Sequence, residues 1–361
     1  MGEELGIEDN FRPTPLNISS VTDVNGACDA ILVTHYHGDH TGQLRNVQDG
    51  IPLYMGELTK QVFRLTSCRE PDSFQERISA AQIIEQGKTF LIGDIRITPY
   101  CSDHSAYDSY MFLIEAESKR ILFTGDFRLH GFRGKGLPKI LDGLVKKVDV
   151  LITEGTTFSR EQSAPMTEYE LIEKAKNCIA DYKYVFALCA STNLERICAL
   201  SRATPRGKYF ICDEYQDALL NAFETSAGKY SSWYRGIKKT TYGDNLLEKL
   251  KQYGFVMLVR ENSFFRQVIS KFDCEKSVML YSMWDGYRTK PKSSLPQFLG
   301  LAGHWIPCHT SGHTGMEGIS LFVEKTSPSY IIPMHTDKPD FLLNHYPQTV
   351  ILEDGKEWVV P

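Results

Sequence analysis

The run Thr34-His35-Tyr36-His37-Gly38-Asp39-His40, directly behind the apolar Ile31-Leu32-Val33, constrains this chain more than any other stretch. Three imidazoles and a carboxylate within so short a segment are a density of ligands for which a packed core has no use. Histidines at i and i+2 followed by Asp-His let one turn at a strand end point four donors into a common space. Imidazole suits zinc and carboxylate suits harder divalent ions, so the mixture fits two neighbouring metals. The competing reading is a polar loop or a surface histidine cluster.

Two-metal hydrolysis needs roughly six ligands around ions about 3.5–4 Å apart, one of them bridging. Further polar residues stand just behind apolar, strand-like runs: His104 after Ile95–Tyr100, Asp126 after Arg120–Thr124, Glu154 after Val148–Thr153 and His335 after Tyr330–Met334. A strand end is a rigid platform on which a ligand is held at little entropic cost. Alone, His104 reads equally well as a loop histidine with a structural hydrogen bond, and Asp126 as a turn or cap residue. Their shared position behind successive strands favours the metal reading.

Two different patterns surround these residues. From residue 88 the chain reads as strands, with Thr89–Ile92 and Ile95–Tyr100 joined by a turn at Gly93-Asp94, and Ser109–Glu115 and Arg120–Thr124 joined at Glu117-Ser118-Lys119. After residue 155, helical and strand-like segments alternate through Tyr169–Asp181, Tyr184–Leu188, Leu194–Arg202 and Tyr209–Cys212, and onward to Val278–Ser282. That alternation implies parallel strands with crossover helices, and residues 156–300 read as a separate α/β domain. Beyond it come a helix at Met316–Thr326, a strand at Tyr330–Met334, and an expected final strand at Thr349–Leu352 before a hairpin-like Asp354-Gly355. Residues 1–28 are expected to be irregular.

Composition excludes some classes. With 42% apolar and 24% charged residues the chain is that of an ordinary globular protein. No apolar run approaches about 18 residues, so no transmembrane helix or membrane partner is expected. Met1-Gly2-Glu3-Glu4-Leu5 has no signal-peptide character. Nine scattered cysteines without C-x-x-C suggest reduced core thiols and a cytoplasmic protein. A net charge of −5 gives no global pull on nucleic acid, although a local basic groove is compatible with it.

His35-x-His37-x-Asp39-His40, followed by His104, Asp126 and the late His335, resembles the signature of the metallo-β-lactamase fold. Glu154, His313 in His309-Thr310-Ser311-Gly312-His313, and His335 in Pro333-Met334-His335 resemble three motifs of its β-CASP branch. That branch includes ribonuclease J and the nuclease of messenger-RNA 3′-end cleavage. The resemblance covers essentially the whole chain. It implies an α/β protein: an αββα sandwich in two pieces, residues 1–155 and 301–361, with a β-CASP α/β domain at 156–300 inserted between them. Family members open with a hairpin ending in Asp-x-Gly, and this chain starts where that motif should finish. The first hairpin and its Asp are therefore expected to be missing.

The resemblance also implies roles. His35, His37 and His104 would hold one zinc, and Asp39, His40 and His335 the second, with Asp126 bridging; Mn²⁺ or Mg²⁺ are alternative ions. Asp39, Glu154 and His313 would be catalytic, with His313 oriented by Glu154 to protonate the leaving oxygen and a metal-activated hydroxide attacking phosphorus. Ser191, Asn193, His309 and Ser311 would bind substrate, Ser191 and Asn193 from the cleft between domains. For those two a structural turn, and for His309 a plain loop position, is an equal alternative. Gly38 stands where flavodiiron members carry an acidic residue, which favours zinc and hydrolysis over redox chemistry. The implied function is a ribonuclease of RNA processing or decay, with single-stranded RNA (or DNA) and a second copy of the chain, as a homodimer, for partners. The C-terminal extension that promotes dimers in ribonuclease J is not seen, so processive degradation is not expected. Two other functions compete. One is a hydrolase of small esters, lactones or thioesters on the same ligands, and the other is a non-catalytic remnant.

Overall fold

The structure is a computed structural model that describes residues 28–361 apart from 69, 161–164 and 354–355. The expected irregular N-terminus, the missing hairpin and the turn at Asp354-Gly355 all fall on residues outside those described. The chain divides into two compact units. Met166–Thr310 forms most of one; Arg69–Pro165 and Ser311–Pro361, with the segment carrying residues 28–64, form the other.

The discontinuous unit is built on a mixed sheet of six strands. In spatial order they are Tyr330–Met334, Val150–Glu154, Lys119–Phe123, Tyr110–Ala116, Ile95–Cys101 and Phe90–Ile92. The hairpin turning at Gly93 forms as the sequence indicates, with Ile92 paired to Ile95 and Gly93 at φ +59°. Side chains of Tyr110–Ala116 alternate between two apolar clusters. Tyr110 and Phe112 point toward Leu32 and Tyr54 of a smaller parallel sheet, while Met111 and Leu113 face Phe322 of the helix Met316–Thr326. The smaller sheet comprises Ile31–Leu32, Leu53–Met55 and Gln82–Ile83, and the helix Asp72–Ala80 packs against it. Period-two burial thus places sheet on one face and helix on the other.

This topology brings distant polar residues to one edge. The strands ending at Cys101, Phe123, Glu154 and Met334 all run in the same direction, because the antiparallel Tyr110–Ala116 separates the first two and the rest pair in parallel. Their C-terminal ends carry His104, Asp126, Glu154 and His335. The backbone of Thr34 joins the same edge, its carbonyl accepting the Tyr110 amide at 3.0 Å.

The second unit is a sheet of six parallel strands, in the order Thr240–Thr241, Tyr209–Cys212, Phe255–Val259, Tyr184–Cys189, Ser277–Ser282 and Trp305–Pro307. Its three central strands are buried along their whole length, as parallel strands covered on both faces must be. Helices start on side-chain caps: Thr167 forms a reciprocal capping box with Glu170, and Asp213 and Asn262 each accept an amide of the first turn.

One expected strand is corrected. Thr349–Leu352 forms a single bridge, Ile331 to Thr349, and Ile351 and Leu352 are exposed. The helix Pro339–His345 precedes it, with proline in its first turn where a missing N–H costs nothing. Among the described residues, no helix is long and apolar enough to cross a membrane.

Candidate metal centre

The His-rich segment leaves its strand extended through His37, then turns into the short helix Gly38–Thr41. His35 and His37 therefore sit on extended backbone, and Asp39 and His40 on the following turn. His35 is fully buried, its Nδ1 3.0 Å from the Thr34 hydroxyl, which leaves Nε2 as the inward ligand atom. His104 is fixed the same way: its Nδ1 lies 2.6 Å from the carbonyl of Gly312, and its Nε2 is 3.0 Å from Nδ1 of His37. Gly312 can come this close only without a side chain, since a Cβ there would lie 2.6 Å from the Ser105 hydroxyl.

Asp126 is the shared element. Its Oδ1 is 3.0 Å from Nδ1 of His335, and its Oδ2 is 2.8 Å from Nε2 of His40 and 3.9 Å from Nε2 of His35. The backbone turn that presents it requires Gly125, at φ +56°, whose Cβ would press on the Tyr110 carbonyl at 2.9 Å. His335 also lies in the left-handed region, at φ +50°. Its Nε2 is 3.6 Å from the half-exposed Asp39, which is also 3.6 Å from Nε2 of His40.

Ligand atoms converge in overlapping sets: His35, His37 and His104; His35, His40 and Asp126; Asp39, His40 and His335; and His104, Asp126 and His313. Nε2 of His35, Nε2 of His40 and Oδ2 of Asp126 are buried and, close as they lie, do not meet in hydrogen-bond geometry. Leaving three such atoms unsatisfied is costly, and a divalent cation among them removes that cost. The donor set, nitrogen-rich around His35 and mixed around Asp39, suits zinc and similar ions. Burial holds His35 and His104 well below the ordinary imidazole range and pushes His37 down to about 4, so all three stay neutral, as ligands must. Burial would raise Asp126, but the adjacent His335 and His40 imidazoles prevail and hold its carboxyl well below the usual range.

Glu154 and His313 form a second arrangement at the same edge. Glu154 is fully buried; one oxygen accepts the Phe127 amide at 2.7 Å and the other is 2.8 Å from Nδ1 of His313. Burial alone would lower His313. The Glu154 carboxylate overcomes this and raises it to about 9.

Sequence reasoning missed the residues that brace these groups. Asp103 and Arg128 are buried and paired at 3.0 Å, and Asp103 also accepts the Arg133 amide. Arg128 and His130 both hydrogen-bond the carbonyl of Ser311, at 3.1 and 2.8 Å, and the Ser311 hydroxyl accepts the His313 amide. The loop bearing His313 is thus tied down by a buried arginine. Of the other expected substrate residues, Ser191, Asn193 and His309 lie in the second unit. The Ser191 hydroxyl and Oδ1 of Asn193 are buried without hydrogen bonds, while His309 is 3.4 Å from Arg196.

Residues 9–185 match the family model of the β-lactamase superfamily domain. The chain is 31% identical over 149 residues to the endoribonuclease ysh-1 of Neurospora crassa, covering 36% of this chain and 17% of that protein. It is 36% identical over 106 residues to the lactamase-like protein adaB of Aspergillus niger, covering 28% of this chain and 27% of that one. The chain thus spans less than a third of the length of either relative. The likeness in fold extends beyond the matched residues. A crystal structure of a protein of unknown function from Enterococcus faecalis V583 superposes with a TM-score of 0.70 over 91% of this chain and 80% of that one, at 20% identity.

Proposed function

We propose that this chain is a zinc-dependent hydrolase that cleaves phosphodiester bonds in RNA. The observation that carries this reading is the placement of a Glu154-held imidazole, His313, beside ligand sets joined through Asp126. The similarity to an endoribonuclease supports the choice of substrate.

In this reading His35, His37 and His104 would hold one ion and Asp39, His40 and His335 the other, with Asp126 available to both. Divalent ions bound there act as Lewis acids on the phosphoryl group and bring the pKa of water near neutrality. The chain's own residues do the rest. Glu154 fixes the His313 tautomer by binding Nδ1 and favours the protonated ring, so that Nε2 would offer a proton to the departing ribose oxygen. Arg128 and Asp103 hold the loop that positions this acid. Within the second unit, read here as a β-CASP-type domain, the buried Ser191 hydroxyl and Asn193 Oδ1 lack hydrogen bonds; we assign the first as a donor to a phosphate oxygen and the second as an acceptor for a sugar hydroxyl. With them we assign His309 and Ser311 to substrate.

The test is to incubate zinc-loaded protein with end-labelled single-stranded RNA, beside a His35→Ala control. Metal-dependent cleavage that the control lacks supports the proposal. Equal signals from both proteins, with turnover of a generic lactone by the unmutated chain, overturn it in favour of a small-ester hydrolase. That second reading has its own support in the similarity to adaB, a lactamase-like protein.

A further inference from the structure

The second unit carries an aromatic and basic surface that the metal chemistry does not use. Trp284 follows closely on the strand Ser277–Ser282 and opens the short helix Asp285–Thr289. Its indole is 44% exposed, yet it is held in place. The six-membered ring lies over Gly286, where an added Cβ would come within 2.3 Å of it. The Tyr287 ring meets its edge with centroids 5.5 Å apart, and the Trp284 carbonyl accepts the buried Tyr281 hydroxyl at 2.9 Å.

Trp305, 38% exposed, starts the neighbouring edge strand in register with Met279. The Arg288 guanidinium lies 5.1 Å from its ring centroid. Arg288 is also paired through two bonds with Asp285, at 2.7 and 2.9 Å, which offsets the local acidic charge. Lys290 and Lys292 follow, both exposed. A chain of net charge −5 therefore presents a locally positive segment in which flat rings alternate with cations.

We propose that Trp284 and Trp305, flanked by Lys290 and Lys292, form a stacking platform for the unpaired bases of single-stranded nucleic acid. The inference rests on the nucleic-acid reading of the metal centre and deepens it by assigning a binding surface. Bases stack on exposed rings irrespective of sequence, and lysines beside them follow the phosphates. The close fit on Gly286 supplies what a platform needs, because a ring already fixed gives up little freedom when a base stacks on it. An acidic peptide would satisfy the lysines and leave the ring faces unused.

The test measures binding rather than cleavage. Labelled single-stranded RNA is titrated by fluorescence anisotropy into the full chain kept metal-free with chelator. Trp284→Ala and Trp305→Ala each weaken binding roughly tenfold, the scale of one missing stack, whereas Trp284→Phe retains most of it. Lys290→Gln with Lys292→Gln flattens the slope of log affinity against log salt by roughly 0.7 for each phosphate no longer neutralised. Trp233→Ala, at an equally exposed tryptophan elsewhere on the unit (39%), leaves binding unchanged. Binding indifferent to Trp284 and Trp305, or equal affinity for duplex RNA or an acidic peptide, overturns the platform. Failure of zinc-dependent cleavage while these effects persist sinks the nuclease reading alone.

Discussion

Nδ1 of His313 lies 2.8 Å from the Glu154 carboxylate, and that carboxylate is held from behind by the Phe127 amide. A buried imidazole clamped to a fixed anion keeps its proton well past neutrality, to about 9. The folded value exceeds the ordinary one near 6.5, so the pair's contribution to stability is fully present below pH 6.5 and is lost as pH rises through about 9. In metal-free protein this contribution is about 3 kcal/mol. Proton NMR titration should place His313 near pH 9, and Glu154→Gln should return it toward or below 6.5. A Glu154→Gln protein whose His313 still titrates near 9 would refute the assignment.

On the proposed function, the same pair separates metal binding from acid catalysis. His313→Ala should keep two metals per chain by elemental analysis while slowing RNA cleavage by roughly 10²–10⁴, the range expected when a general acid is removed. Asp126→Asn should lower the content at both positions, because its two oxygens face His40 and His335 separately. Loss of metal in His313→Ala would instead put that imidazole among the ligands.

Thr34 acts on the ligand sets through the ring of His35. Thr34→Val preserves shape and removes the 3.0 Å hydrogen bond to Nδ1. Removing an orienting bond of this kind costs roughly 10–100-fold in metal affinity. Competition with a chromophoric chelator would measure it, and an unchanged affinity would count against the role.

Arg128 is fully buried against Asp103 and reaches the Ser311 carbonyl. Arg128→Met strands a buried carboxylate and should destabilise the protein by about 3–5 kcal/mol in denaturant unfolding. Because the Ser311 loop loses its anchor, cleavage should also fall at temperatures where the variant is folded.

Gly125→Ala tests the turn that presents Asp126. With φ at +56° and the Tyr110 carbonyl 2.9 Å from a new Cβ, the substitution should cost about 1–3 kcal/mol. It should also reduce bound metal, which an effect on stability alone would not do.

The candidate ligands His35, His104, Asp126 and His335 stand out in the sequence because each follows an apolar run by one to four residues, and a strand leaves its next polar residues at the sheet's edge. His37 and Asp39 announced themselves by crowding. Arg128 and Asp103 did not, since a buried ion pair separated by 25 residues looks like two ordinary surface charges until the chain closes. Alternation of helix and strand from Tyr169 to Ser282 gave the parallel sheet. Its edge strand at Trp305–Pro307 stayed hidden, being short and ending in proline, which an edge tolerates. The opposite error came at Thr349–Leu352, where β-branched and apolar residues suggested a strand. The segment meets the edge strand only at Ile331, through the bridge to Thr349 and the Val350 amide, and Ile351 and Leu352 beyond it are exposed, so propensity alone does not extend a strand.

The contact between Asp126 and His335 spans 209 positions of sequence. A ribosome adding about 5–20 residues per second needs roughly 10–40 s to travel that distance. Throughout that interval a nascent chain owns the histidine cluster and lacks the strand that closes the pocket. Completion of the cluster is thereby deferred: Asp126 has no His335 beside it until that strand has emerged and found its place.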